Sequence, residues 1–180
     1  MGFRHALILA LVAAGMLCQA ADAPALAMQR IKAAFLYKFA AYVEWPAKTF
    51  AESESPIVIG VASADGIAHE LEGAAAGRTA GGRPVLVHKL ARGEAATSCC
   101  HILFVGEDHH GQRAELLAQV EGQPVLTVTD VGGEQPKGSI INFLIAGDRV
   151  RFDISRGAAE RSGIQLRSQL LGVARHVDPR

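Results

Sequence analysis

Apolar and polar residues along the chain switch between two periods, and each switch marks an element. From Met28 to Tyr42 the stretch MQRIKAAFLYKFAAY sets Ile31, Phe35, Leu36, Phe39 and, just beyond, Val43 at helical spacing. That pattern predicts an amphipathic helix with a broad apolar stripe. Glu44-Trp45-Pro46 ends it, because the residue before a proline is pushed out of the α region. Trp45 reads as a packing anchor where the helix turns into the sheet. Pro56 to Ser63, PIVIGVAS, is an unbroken apolar run rich in β-branched residues and predicts a buried strand. A short helix over Asp65 to Ala76 follows, with Ile67 and Leu71 inward and Asp65 as its N-cap.

Beyond a turn-rich break at Gly77 to Gly82, strands are predicted over Arg83 to Leu90, His101 to Val105 and Pro124 to Thr129. A connector spans Ala91 to Ser98, a helix Gln112 to Val120, and a loop Asp130 to Gly138. Ile140 to Ala146 and Arg149 to Ile154 alternate across Gly147-Asp148, which is a hairpin signal. Arg156 to Arg175 reads as one closing helix, with Ile164, Leu166, Leu170, Leu171 and Val173 apolar. Strand and helix alternating through the middle argue for parallel pairing. The predicted class is α/β: a mixed sheet flanked by helices, parallel at its core, with a C-terminal antiparallel hairpin.

The first residues carry a different signal. In MGFRHALILALVAAGMLCQAADAPALA, Arg4 precedes an apolar run from Ala6 to Leu17, and small residues follow. That is the layout of a secretory signal peptide over residues 1–27, with cleavage between Ala20 and Ala27. The run falls short of the about 20 apolar residues a spanning helix needs. Residues 28–180 then form a single domain of ordinary size, exported to a periplasm. The chain holds 18 Lys and Arg against 18 Asp and Glu. Such a balance leaves no electrostatic footprint for nucleic acid or anionic lipid.

Candidate chemistry concentrates in CCHILFVGEDHH, Cys99 to His110. Thiols and imidazoles together suit zinc or copper. Yet there is no C-x-x-C or H-x-x-x-H spacing, and neighbours on a strand point to opposite faces. ILFV needs no metal to explain it, so neither a metal nor a cofactor is expected. His109 and His110 lie just past a strand's C-terminal end, where α/β sheets place ligand crevices, and mark a possible small-ligand site together with Ser63. Cys99 and Cys100 are the only cysteines outside the leader, and adjacent cysteines close a disulfide only with strain, because their Cα atoms sit too close. They are the candidate redox residues. GGEQPKGS departs from the phosphate-binding G-x-x-x-x-G-K-[ST] pattern, and G-x-S-x-G is absent around Ser63. With no acid–base pair and no activated nucleophile, an enzyme is not expected.

The last strand and the segment after it make the better case for binding. Arg149, Arg151 and Asp153 alternate with Val150, Phe152 and Ile154. Arg151, Asp153, Arg161 and Arg167 are read as the rim of an apolar patch made by Ile164, Leu166 and Leu171. An apolar centre with an arginine-rich rim is the usual anatomy of a protein contact.

Three stretches, IKAAFLYKFAAYVEWP (Ile31–Pro46), CHILFVG (Cys100–Gly106) and INFLIAGDRVRFDISRGAAERSGIQLRSQLL (Ile141–Leu171), resemble the YfiR family of small periplasmic proteins. The resemblance implies a repressor without catalysis that binds the periplasmic sensor domain of an inner-membrane diguanylate cyclase. It also implies release by an outer-membrane lipoprotein, and a homodimer. In relatives the lipoprotein contacts cluster on the segment matching Asp153 to Leu171. Cys100 falls where some relatives carry a disulfide cysteine, but the partner position near Val61 holds no cysteine here. Two other readings compete: a periplasmic small-ligand sensor, and a metal-binding or thiol-active protein.

Overall fold

The computed structural model describes residues 3–97, 99–106 and 111–179, with side chains from residue 23 onward. The chain begins with α1 (Phe3–Tyr42), which starts well before Met28 and carries Pro24 within it. The alanines and leucines of residues 6–27 are strong helix formers, so the helical pattern of Met28–Tyr42 has nothing upstream to stop it except one proline. Among the described residues no helix is long and apolar enough to cross a membrane.

After α1 come β1 (Val43–Glu44), a 3-10 turn at Ala47–Thr49, β2 (Ile57–Ala62), α2 (Asp65–Ala75), β3 (Thr79–Ala80) and β4 (Arg83–Lys89). Next are β5 (Ile102–Val105), α3 (Gln112–Gln119), β6 (Leu126–Asp130), β7 (Ile141–Ala146) and β8 (Arg149–Ser155). The C-terminal module is α4 (Arg156–Arg161), β9 (Gln165–Leu166), α5 (Ser168–Val173) and β10 (His176–Asp178).

Eight strands form one sheet in the order β10-β8-β7-β6-β5-β2-β4-β3, and β1 pairs with β9 in a separate ribbon. Pairing is parallel from β4 through β2, β5 and β6 to β7. It turns antiparallel at β7–β8. The fold is therefore α/β with a mixed sheet and a C-terminal hairpin. Gly147 and Asp148 both take positive φ, 55° and 57°, as a two-residue type I′ turn requires.

Alternation along the strands divides the interior. Ile57, Ile59, Ile102, Phe104, Leu126, Val128, Ile141, Phe143, Val150, Phe152 and Ile154 join the face of α1 made by Ala33, Leu36, Phe39 and Ala40. Phe39 stacks on Phe143 (centroids 5.8 Å apart) and meets Phe152 edge-on at 5.2 Å. On the other face Ala62, Ala96, Cys100, Leu103 and Val105 pack with Leu116, Val120 and Val125. β6 reaches β7 without a helix. Buried polar groups stabilise that link: Asn142 accepts from the Val131 N–H (3.1 Å) and donates to its carbonyl (3.0 Å).

Several expectations are corrected. Ile31 is 43% exposed, because the buried stripe runs 33, 36, 40 and leaves it outside the arc. Asp65 is the first helical residue and not the cap; Ala64 holds that place, with no side-chain hydrogen bond. An acid in the first turn still favours the positive end of the helix dipole. Most consequential, Arg156 to Arg175 is not one helix. Gly163 (φ 69°) stops α4 in a Schellman turn, with the Ile164 N–H on the Ala159 carbonyl (3.2 Å) and the Gly163 N–H on that of Glu160 (3.0 Å). Ser-Gly followed by an apolar residue was the signal for this stop.

Candidate partner-binding surface

The break at Gly163 redirects the chain across the end of α1. Leu166 pairs with Val43 and Gln165 with Glu44, antiparallel. The Arg167 N–H donates to the Tyr42 carbonyl at 3.0 Å, and its Nε reaches Glu44 Oε1 at 3.0 Å. The ribbon thus ties the last third of the chain to the end of the first helix. α5 then anchors through buried Leu170, and the Arg175 N–H donates to the Phe152 carbonyl (2.9 Å) before β10 adds itself in parallel to β8.

A groove of about 470 Å³ lies on one side of β9, lined by Arg156, Ala159, Glu160, Ile164, Gln165, Leu166 and Leu171. The three apolar residues expected at the patch centre are thereby brought together. Ile164 is only 2% exposed and serves as floor; Leu166 and Leu171 are half-buried walls. The four expected rim residues do not line this groove. Arg151 is exposed on the face of β8 opposite Phe152, since neighbouring strand residues alternate. Asp153 is engaged by Arg175. Arg161 lines a neighbouring cleft with Leu117 and Lys137. Arg167 lines a second cleft, of about 460 Å³, on the other side of the ribbon, with Glu44, Trp45, Phe50 and Arg83. Two clefts therefore flank the β1–β9 ribbon, one apolar at its base and one aromatic and charged.

The aromatic cleft was not foreseen beyond Trp45 itself. Phe50 stacks on the His101 ring (4.6 Å, 11°), Arg83 lies over Phe50 at 3.8 Å, and Trp45 stands edge-on to Phe50 at 6.0 Å and to His101 at 6.1 Å. The Val58 N–H donates to His101 Nδ1 at 3.0 Å. Burial, then the nearby Arg83 charge, hold the His101 pKa below its usual value, against a hydrogen bond with the Thr49 backbone. The residues come from four separated segments, so no local motif announces them.

The other candidate residues lie elsewhere. A cleft of about 240 Å³ opens at the end of β2, lined by Ser63, Asp65, Arg92, Gln112, Glu115 and neighbours; Ser63 has φ 57°. His109 and His110 lie outside the described residues. Among the described residues no group of three or more His, Cys, Asp or Glu is placed to hold a metal. Cys99 and Cys100 sit in the turn before β5, not on the strand, so the alternation expected to separate their side chains does not apply. Cys99 is half-buried, Cys100 buried, and their Sγ atoms are 2.6 Å apart.

A family profile described as DUF4154, YfiR/HmsC-like, matches residues 29–175 of the chain, from early in the amphipathic part of α1 to the start of β10.

Proposed function

The chain belongs to the YfiR/HmsC-like family, and from that premise we propose a periplasmic regulatory binding protein that represses an inner-membrane diguanylate cyclase by binding its sensor domain. The family is regulatory and not catalytic, acts through protein partners, and belongs to cyclic-di-GMP signalling. Sequestration by an outer-membrane lipoprotein relieves the repression. The leader over residues 1–27 supports export, and the protein acts as a homodimer.

The observation that carries this reading is the β1–β9 ribbon with its flanking clefts. It offers half-buried Leu166 and Leu171 in the cleft on one side and a charged pair, Glu44 and Arg167, in the cleft on the other. Apolar walls beside arginine and aromatic groups are the ingredients of a protein contact. The mechanism is differential binding. The regulator must bind the inactive sensor conformation more tightly than the active one, because a ligand with equal affinity for both shifts nothing.

The test is intracellular cyclic-di-GMP in a strain lacking the gene, with and without complementation. Repression predicts a rise that the intact gene reverses and that a gene carrying Leu166→Asp does not. An unchanged level, with the cyclase expressed, overturns the reading and favours a small-ligand sensor using the cleft beside Ser63. Ligand-dependent shifts in Tm then test that alternative.

A further inference from the structure

The two sulfurs at the Cys99–Cys100 turn are placed for chemistry that neither the ribbon nor the clefts use. We propose that these cysteines form a thiol–disulfide site, with Cys99 as the attacking thiol, Cys100 as the resolving thiol and a hydroperoxide as the oxidant. Neither the proposal nor its test depends on the regulatory reading above.

Three observations support it. First, the sulfurs face each other at 2.6 Å, so the approach to a bond of about 2.05 Å is short; the strain that the close Cα atoms of adjacent cysteines impose on that bond makes it readily reducible. Second, the pair is divided in access. Cys99 is half-buried and reachable, while Cys100 is 9% exposed within the core of Ala62, Leu103 and Leu116. Its sulfur rests against Gly60, where a Cβ would lie 2.8 Å from Sγ, so a small residue in β2 keeps the seat open. Third, the surroundings separate the roles of the two thiols. The hydrogen bond from Cys100 holds the Cys99 thiol below its usual pKa; burial opposes this, the His88 ring adds to it and Glu94 opposes it. The contact with Cys99, then burial, push the Cys100 thiol far up. His88 is itself tied to Glu94, Nε2 to Oε1, at 2.6 Å. An accessible thiol that ionises more readily beside a buried one that does not is the arrangement of a reactive cysteine with a resolving neighbour.

The steps balance. The Cys99 thiolate attacks the terminal peroxide oxygen; an S–O bond forms, the O–O bond breaks, and the alkoxide (hydroxide from hydrogen peroxide) leaves and takes up a proton. Cys99 is then a sulfenic acid. Cys100 attacks the Cys99 sulfur; the S–S bond forms, the S–O bond breaks, and the departing hydroxide leaves as water with the Cys100 proton. The dithiol loses two electrons and the peroxide gains them.

The experiment uses the full chain with Cys18→Ser, reduced, exposed to hydrogen peroxide and then alkylated with N-ethylmaleimide. The tryptic peptide from Gly93 to Arg113 carries both thiols. The expected result is a peptide lighter by two hydrogens, without maleimide adducts, from a chain that stays monomeric on a non-reducing gel, all reversed by dithiothreitol. In the same background Cys100→Ser stops at a sulfenic acid that dimedone traps. Cys99→Ser reacts with peroxide at least about tenfold more slowly, because the thiolate fraction sets the rate. Two maleimide adducts surviving peroxide, an interchain disulfide in place of the internal one, or equal rates in Cys99→Ser and the parent overturn the proposal. The readout is covalent and needs no partner, so its failure is distinct from failure of the repressor reading.

Discussion

Arg175 grips Asp153 with both arms of its guanidinium: Nε donates to Oδ1 at 2.8 Å and Nη2 to Oδ2. The pair links the residue just before β10 to the middle of β8, and hydrogen bonding to Asp153 raises the Arg175 pKa further. It turns a residue that reads from the sequence as a partner contact into a clasp for the C-terminal strand.

Asp153→Ala is therefore expected to loosen β10 and leave the core intact. Amide exchange of His176–Asp178 should rise while that of Ile102–Val105 stays slow. Tm should fall by no more than about 4 °C, as for an exposed ion pair in a domain of this size. Lost partner binding with unchanged exchange at β10 would instead make Asp153 a direct contact.

The Glu44–Arg167 pair separates recognition from structure. Arg167→Glu should weaken binding of the cyclase sensor domain by about tenfold or more, or about 1.4 kcal/mol. The double swap Glu44→Arg with Arg167→Glu restores the ion pair across the ribbon. If the ribbon surface is read by the partner, titration calorimetry should find binding still weak in the double variant. Recovery there would assign the pair to folding alone.

The stack of Phe39 against Phe143 and Phe152 is the centre of the main core, and Phe39 is 1% exposed. Phe39→Ala should cost about 3–5 kcal/mol by urea denaturation, combining lost transfer energy with a cavity. A loss under about 1 kcal/mol would mean that α1 repacks over the gap.

His101 sets a pH dependence. Its folded pKa lies below the unfolded value, so as pH falls the unfolded chain takes the proton first. Stability from this site is full above about pH 6.5 and is lost as pH drops through that value toward the folded pKa. Arg83, lying over Phe50, sharpens the penalty on the charged ring. His101→Asn, which keeps a side-chain acceptor for the Val58 N–H, should flatten the fall in Tm between about pH 7 and 5. An identical slope in both proteins would remove His101 from the account.

Local patterning determined a large part of this molecule. The β-branched run PIVIGVAS, the buried ILFV and the Gly147-Asp148 turn each carry their signal within a few residues, because side-chain period and φ preference are local properties. That Ile164, Leu166 and Leu171, which line the groove beside β9, are apolar was legible in the same way. Their setting was not. β1–β9 joins segments more than a hundred residues apart, and two-residue strands leave no periodicity to read. Where Arg167 and Asp153 point depends on Glu44 and Arg175, partners set by the β1–β9 and β8–β10 pairings. The facing sulfurs of Cys99 and Cys100 depend on the chain still being in a turn there, one residue short of His101 and two short of β5. The sequence by itself determined the elements and which of their faces are apolar, since these come from period and side-chain volume. Only the tertiary structure decided the sheet order, the β1–β9 ribbon and the charge pairs, because each brings together residues distant in the chain, and the entropy of closing those loops is offset only by the whole core forming at once.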